Sequence, residues 1–498
     1  MWTDILYGFQ VATTPMNLLF CFLGVFLGTL MGVLPGIGPA GAMAILLPIS
    51  LQITPVGSII MLAGIYYGSM YGGSTTSILV CIPGEPASVM TCVDGYQMAL
   101  KGKAGPALGI AAIGSFIAGT FSVVGLMFLA GPLATAALRF GPPEFFSLVL
   151  MGLTLATYLS QKAPEKAFMS ALIGLLLSWV GIDLVNGTSR FTFGLLELSD
   201  GLGVIPLVMG LFGISEVLLE LEKNVCVSIN RTKIGSLLPN REEWRQSAWP
   251  IARGSVLGFF LGILPGGGGI IANFMSYIME KRLSKHPEKF GSGEIAAVAG
   301  PEAANNAAAG GALIPLLTLG IPMNATVALL FAALMIHGVR PGPMLIAEHP
   351  EVFWGIVASM YIGNVMLLIL NLPLIGIWVK VLKIPYRIIF PMIVIFCIIG
   401  VYAINRSILD LALMLGFGVL GYLMRKFDFD PAPLCLAFIL GPLLEVAMRQ
   451  ALLLSQGNFA IFLTRPLSAI CLGIAVVLLL ANLISFRKSK TEKAGEHV

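Results

Sequence analysis

The groups able to do chemistry in this chain are oxygens and amides set inside apolar sequence. Ser74, Thr75, Thr76 and Ser77 interrupt "YYGSMYGGSTTSILVCIPGEPAS" (66–88). Glu302, Asn305, Asn306, Thr318, Asn324 and Thr326 interrupt "GPEAANNAAAGGALIPLLTLGIPMNAT" (300–326). Such groups hold ligands. No GxSxG, HExxH or Cys/His cluster accompanies them, and His286, His337, His349 and His497 fall in loops or the tail. No nucleophile–base pair or catalytic metal set is therefore in view.

Backbone supplies a second set of polar groups. "LPGIG" (34–38) and "LPGGG" (264–268) place a proline and then glycines, including Gly36, Gly38, Gly266, Gly267 and Gly268, between apolar runs. A helix broken in lipid leaves N–H and C=O groups unpaired, at roughly several kcal/mol each, so a break must be buried in protein or line a watery cavity. The freed N–H groups at a half-helix start carry about +0.5 of a charge and attract anions. Freed carbonyls attract cations, and glycine lets a ligand approach the backbone closely. On this reading Gly36, Gly38, Ser74, Thr75, Thr76, Ser77, Gly266, Gly267, Gly268, Asn306, Asn324 and Thr326 are expected to contact an anionic ligand, and Asn305, Glu302 and Thr318 a cation. The competing reading is packing: the prolines kink, the glycines let helices touch, and the amides bond neighbouring backbone. Glu302 also fits the second position of a helix opened by Gly300 and Pro301, and Glu85 carries the same two meanings. Asp183 reads as structural and His337 as a loop residue.

The elements that must position these groups are membrane helices. Of 498 residues 57% are hydrophobic and 11% charged, and mean hydropathy is +0.92; soluble domains carry about 25% charge. Apolar runs long enough to span a bilayer, about 20 residues, recur, as in residues 108–134 and 467–486. The expectation is an all-α polytopic membrane protein with about 10–12 transmembrane segments. A net charge of +4 spread over loops gives no reason to invoke nucleic acid. No basic segment precedes the first apolar run, so no signal peptide is read. The seven cysteines, with no CxxC, read as small buried hydrophobes. "GIGPAG" (36–41) fits a dinucleotide pattern only formally, because no strand precedes it.

The chain reads as two related halves. "GTLMGVLPGIG" (28–38) aligns with "GFFLGILPGGG" (258–268) at an offset of 230. "GGSTTSILVCIPGEPASV" (72–89) then resembles "GGALIPLLTLGIPMNATV" (310–327) with one-residue gaps, and "MGLFGISEVL" (209–218) resembles "LGPLLEVAMR" (440–449). Residues 1–222 are expected to form a first transmembrane repeat, 223–252 a cytoplasmic linker, 253–450 a second repeat, and 451–498 an extra helix with a basic tail. Lys223, Arg231, Lys233, Arg241, Arg245 and Arg253 put the linker inside by the positive-inside rule. An odd number of crossings per half would make the repeats inverted and start the chain outside; the extra helix then returns "RKSKTEK" (487–493) to the cytoplasm. Paired interruptions in two halves point to a secondary transporter with a midplane site, in broken helices or re-entrant hairpins. An anion channel and an intramembrane enzyme are the rival readings.

The blocks "YGGSTTSIL…IPGE" and "PEAANNA…GIP" resemble the large membrane (permease) subunit of the tripartite tricarboxylate transporter family, over about residues 17–449. The resemblance implies a bacterial inner-membrane importer without ATP hydrolysis or a cofactor. A periplasmic solute-binding protein delivers a citrate-like tri- or dicarboxylate, a small membrane subunit assists, and Na⁺ or H⁺ serves as coupling ion. One departure stands out: the family commonly has Gly-Ser after the second "GIP", where this chain has Met323-Asn324.

Overall fold

The computed structural model describes residues 2–34, 37–160, 164–183, 186–223, 235–266, 268–382 and 386–495. These are almost entirely helical; a two-residue antiparallel hairpin, Gly181–Ile182 with Ser189–Arg190, is the sheet seen among them. Six helices are long and apolar enough to cross a membrane: Pro15–Val33, Ala104–Ala137, Val204–Glu222, Pro350–Asn371, Ile408–Lys426 and Pro431–Leu454. Four shorter apolar helices, Gly38–Ser50, Ala325–Ile336, Ile389–Asn405 and Pro466–Leu480, accompany them. The expected ten to twelve membrane segments are thus met by six such spans among the described residues. Two features of the sequence contribute to the difference. Proline and glycine cut several apolar runs into pieces, and Pro55–Val80, though 26 residues long, is rich in Gly, Ser and Thr. That helix is buried along nearly its whole length, so it needs no lipid-compatible surface.

Each half has the same centre. A helix ends at a Pro-Gly break and a second helix restarts: Pro15–Val33 then Gly38–Ser50, and Arg241–Gly262 then Gly268–Leu283. The next helix packs back on the first through a glycine stripe. Gly24, Gly28 and Gly32 lie against the carbonyls of Met61, Ile65 and Ser69 on Pro55–Val80. Gly254, Gly258 and Gly262 lie against those of Gly300, Ala304 and Ala308 on Ala296–Gly311. A Cβ at any of these six glycines would collide with the facing backbone, so the four-residue spacing sets both contact and crossing. Thr29 and Phe259 present their carbonyls to Gly72 and Gly311 in return.

These contacts establish the register of the two halves. The first helices match at the offset of 230, and the following helices at 239, Gly72 with Gly311. The same register pairs Cys81 with Gly320, both left-handed at φ 57° and 71°, then Pro83 with Pro322 and Glu85 with Asn324. Pro55–Val80 and the helix Leu313–Leu319, which follows Ala296–Gly311, therefore stop at corresponding left-handed residues, and the chain restarts a few residues later, at Pro86–Ser88 running into Val89–Leu100, and at Ala325–Ile336.

The outer helices repeat the exchange. Pro164–Ser178 packs on Pro431–Leu454, and Ile408–Lys426 packs on the π-helical turn Met209–Ile214 and its continuation Ser215–Lys223. The charged residues after Asn240 belong to a helix rather than to a loop: Arg241–Gly262 begins with a capping box, the Asn240 side chain accepting from the Glu243 N–H while the Glu243 carboxylate accepts from the Asn240 N–H. The final helix, Pro466–Gly495, lies on Pro142–Tyr158, where Ser468 and Ser147 share a buried 2.7 Å hydrogen bond.

Candidate functional site

The breaks of both halves meet around one cavity of about 380 Å³. Four helices of twelve or more residues turn their N-termini to it. Gly38, Pro39, Ala40 and Gly41 open Gly38–Ser50; Gly268, Gly269 and Ile270 open Gly268–Leu283; Ala325 and Thr326 open Ala325–Ile336; and Pro431, Ala432 and Pro433 open Pro431–Leu454. First-turn N–H groups have no backbone partner within their own helix. Pro39, Pro431 and Pro433 have none to give, and the Ala432 N–H is held by Asp430, so the partial positive charge on the cavity rim comes from the starts of Gly38–Ser50, Gly268–Leu283 and Ala325–Ile336. Arg425 is the one Lys or Arg in the described lining, and its guanidinium is ion-paired with Glu216. Ile37, Tyr66, Met70, Phe212, Leu159 and Leu436 supply apolar wall.

Two crossed hydrogen bonds tie the halves together in the lining. Asn305, on Ala296–Gly311, donates to the Glu85 carboxylate in the first-half break. Asn324, in the second-half break, donates to the Tyr66 hydroxyl on Pro55–Val80 at 3.1 Å. In the structural register Tyr66 corresponds to Asn305 and Glu85 to Asn324, so the two bonds are each other's counterpart under exchange of halves. Backbone continues the tie: the Gly266 N–H donates to the Met323 carbonyl at 2.8 Å, joining the two interruptions of the second half. Asn324 also caps its helix, accepting from the Val327 N–H at 2.9 Å. The Asn305 Oδ1 atom is buried and has no hydrogen-bond partner.

Residues 18–436 match the model of the tripartite tricarboxylate transporter TctA family. The chain belongs to that family. It is accordingly a multi-pass membrane component of a tripartite transport system, which implies partner subunits and a binding protein. Two curated relatives come from Agrobacterium vitis. One, an uncharacterized 52.8 kDa protein in the TAR-I ttuC' 3' region, is 48% identical over 491 residues, 99% of this chain and 98% of the relative. The other, an uncharacterized protein in the TAR-II ttuC' 3' region, is 51% identical over 236 residues, 47% of this chain and 98% of the relative. No solved structure matches the chain.

Within this TctA-family structure the residues singled out from sequence part into two groups. Gly38, Gly266, Gly268, Asn305, Asn324 and Thr326 line the cavity. Gly36 and Gly267 lie outside the described residues. The others sit behind the wall, each occupied by a protein partner or a tight void. Ser74 and Thr91 donate their hydroxyls to the Glu302 carboxylate, which is fully buried. Asn306 donates to Ser115 at 2.7 Å and to the Glu302 carbonyl at 3.1 Å. Thr75 borders a void of about 10 Å³, too small for a ligand. Thr76 donates to the Val33 carbonyl at 3.1 Å and so satisfies the end of the first broken helix. Ser77 donates to the Gly73 carbonyl and to Ser88 Oγ, and Thr318 donates to the Ile314 carbonyl of its own helix at 2.7 Å.

Tyr66, Phe212, Arg425 and Asp430 reach the cavity without having been singled out from sequence, and so does Glu85, for which the sequence left a ligand role and a helix-start role open. Glu85 carried a signal: "CIPGE" set over "GIPMN" puts it opposite Asn324. Asp183, read as structural, is paired with Arg449 at 2.7 Å and Arg190 at 3.6 Å.

Proposed function

We propose that this chain performs secondary active uptake of a tri- or dicarboxylate across the bacterial inner membrane, driven by an ion gradient and fed by a periplasmic solute-binding protein, with a small membrane subunit beside it. The observation that carries this reading is the convergence of four helix starts on one cavity, where the one basic residue in the described lining is already paired. Fixed N–H groups hold carboxylate oxygens by charge-assisted bonds without the desolvation cost of a buried Lys or Arg. A volume of about 380 Å³ falls within the range of small-molecule sites.

In this reading Gly38, Gly266, Gly268, Asn324 and Thr326 contact the substrate, and the repeats are inverted. Met323-Asn324 replaces the family's usual Gly-Ser with a longer amide that spans to Tyr66, which narrows the cavity and favours a compact acid over citrate. The cavity reaches Ser160, Arg425 and Asp430, at the end of the bundle where Ser215–Lys223 leads into the basic linker. The positive-inside rule makes that end cytoplasmic, so this conformation faces inward, and alternating access moves one set of helices against the other.

The test is uptake of labelled carboxylates into proteoliposomes holding the complete transporter, with the binding protein and an imposed Na⁺ or pH gradient. Accumulation above equilibrium without ATP supports the reading. Flux that only equilibrates the acid indicates a channel, and chemical conversion of the acid an enzyme.

A further inference from the structure

Three buried carboxylates, Glu85, Asp94 and Glu302, have no basic partner among the described residues. Asp94 accepts from the Tyr277 hydroxyl and from the N–H groups of Gly291, Gly293 and Glu294. Glu302 is accounted for by the Ser74 and Thr91 hydroxyls and stands outside the cavity lining. Glu85 is different. It is 3% exposed, lines the cavity, and receives one side-chain hydrogen bond, from Asn305. Asn305 is 1% exposed, lines the same cavity, and its Oδ1 has no donor. That atom faces Gly269, whose added Cβ would stand 3.6 Å from it. An unpaired carboxylate and an unpaired amide oxygen, side by side in a buried wall, are each costly unless something positive joins them.

We propose that Glu85 and Asn305 are the protein ligands of a monovalent metal cation that binds in this cavity together with the carboxylate substrate. The inference rests on the uptake reading and gives the coupling ion a place. One ion contacting the Glu85 carboxylate and the Asn305 Oδ1 satisfies both oxygens at once. The surroundings favour it further: Pro55–Val80 ends at Cys81 a few residues before Glu85, and the last carbonyls of a helix carry partial negative charge. With Glu85 bare, the cavity wall bears a negative charge that repels an anionic substrate. With the cation in place that repulsion is gone. Substrate and cation therefore each strengthen the binding of the other by the same factor, so the cavity fills with both together.

Cation binding is read without transport, by thermal unfolding of the purified transporter in detergent with NaCl replacing choline chloride at constant ionic strength. A ligand of the native state raises Tm in proportion to its occupancy. The wild type is expected to show a saturating rise with Na⁺ and none with choline. Glu85→Gln and Asn305→Ala are each expected to fold, as judged by their unfolding transitions in choline, and to need roughly tenfold or more Na⁺ for the same rise, the scale of one lost bond to a charged group. Unchanged Na⁺ responses in both variants would overturn the site. So would a wild type indifferent to Na⁺, and uptake driven by a pH gradient and lost in Glu85→Gln would then give the carboxylate to a proton. Failure of proteoliposome uptake under every gradient, with the Na⁺ response intact, would remove the transport reading and leave the cation site standing.

Discussion

Thr326→Asp separates an anion site from a packing contact, because the two make opposite predictions for one substitution. Thr326 is the second residue of Ala325–Ile336, is 6% exposed, and lines the cavity. A carboxylate at that position favours the helix itself by about 0.3–1 kcal/mol through the N-terminal dipole. It also sets a negative charge where the substrate carboxylate should lie. At a separation of about 5–6 Å and an effective dielectric of about 20, each substrate charge is repelled by roughly 3 kcal/mol. That corresponds to a loss of more than about 100-fold in uptake at subsaturating substrate for a single facing carboxylate. Thr326→Asn is the control, matching Asp in shape without the charge. Initial rates into proteoliposomes at equal protein, with the binding protein present, measure the loss, and thermal unfolding in detergent measures the helix. Transport should fall in Thr326→Asp relative to Thr326→Asn while Tm holds or rises. Uptake of the Asp variant within threefold of the Asn variant would refute the idea that this helix end faces the substrate.

Four further outcomes follow from the geometry. Gly258→Ala forces a Cβ into the Ala304 backbone and should cut the yield of folded protein sharply, by strain of about 3 kcal/mol or more, whereas Gly416→Ala, with nothing within 4 Å of its Cβ, should leave yield and Tm unchanged. Tyr66→Phe and Asn324→Ala should show a coupling of about 1 kcal/mol in a double-mutant cycle on stability; independent effects would mean that the cross-half bond contributes nothing. Arg449→Ala removes the closer of the two arginines paired with the buried Asp183 among the described residues, leaving Arg190 at 3.6 Å, and should lower Tm in detergent, by less than the loss of a fully buried pair because the arginines are partly exposed. Single cysteines on a Cys-free background at Thr3, Ser236 and Gln456 should react with a membrane-impermeant reagent on intact spheroplasts at the first and third only; labelling at Ser236 would overturn the inverted arrangement.

Much of this architecture is written in local rules that hold before the chain folds. Hydrophobic content sets the solvent, and proline followed by glycine cannot continue a helix, so the interruptions near Pro35 and Pro265 are legible as they stand. The glycines at four-residue spacing, Gly24, Gly28 and Gly32 and again Gly254, Gly258 and Gly262, foretell close helix contact because only a missing Cβ allows it. The paired "IP" stops anticipate two further restarts for the same reason. What sequence could not sort was which polar residue faces the ligand. Pro55–Val80 and Ala296–Gly311 are buried along nearly their whole length, so no amphipathic period marks an inner side, and equivalent-looking hydroxyls take different roles. Thr76 closes a broken helix, Ser74 holds Glu302, and neither reaches the cavity. Glu85 and Asn305 stand 220 residues apart, and helix N-termini from distant segments converge with them. Only packing one half against the other makes those neighbours, because the contact that joins them belongs to neither half alone.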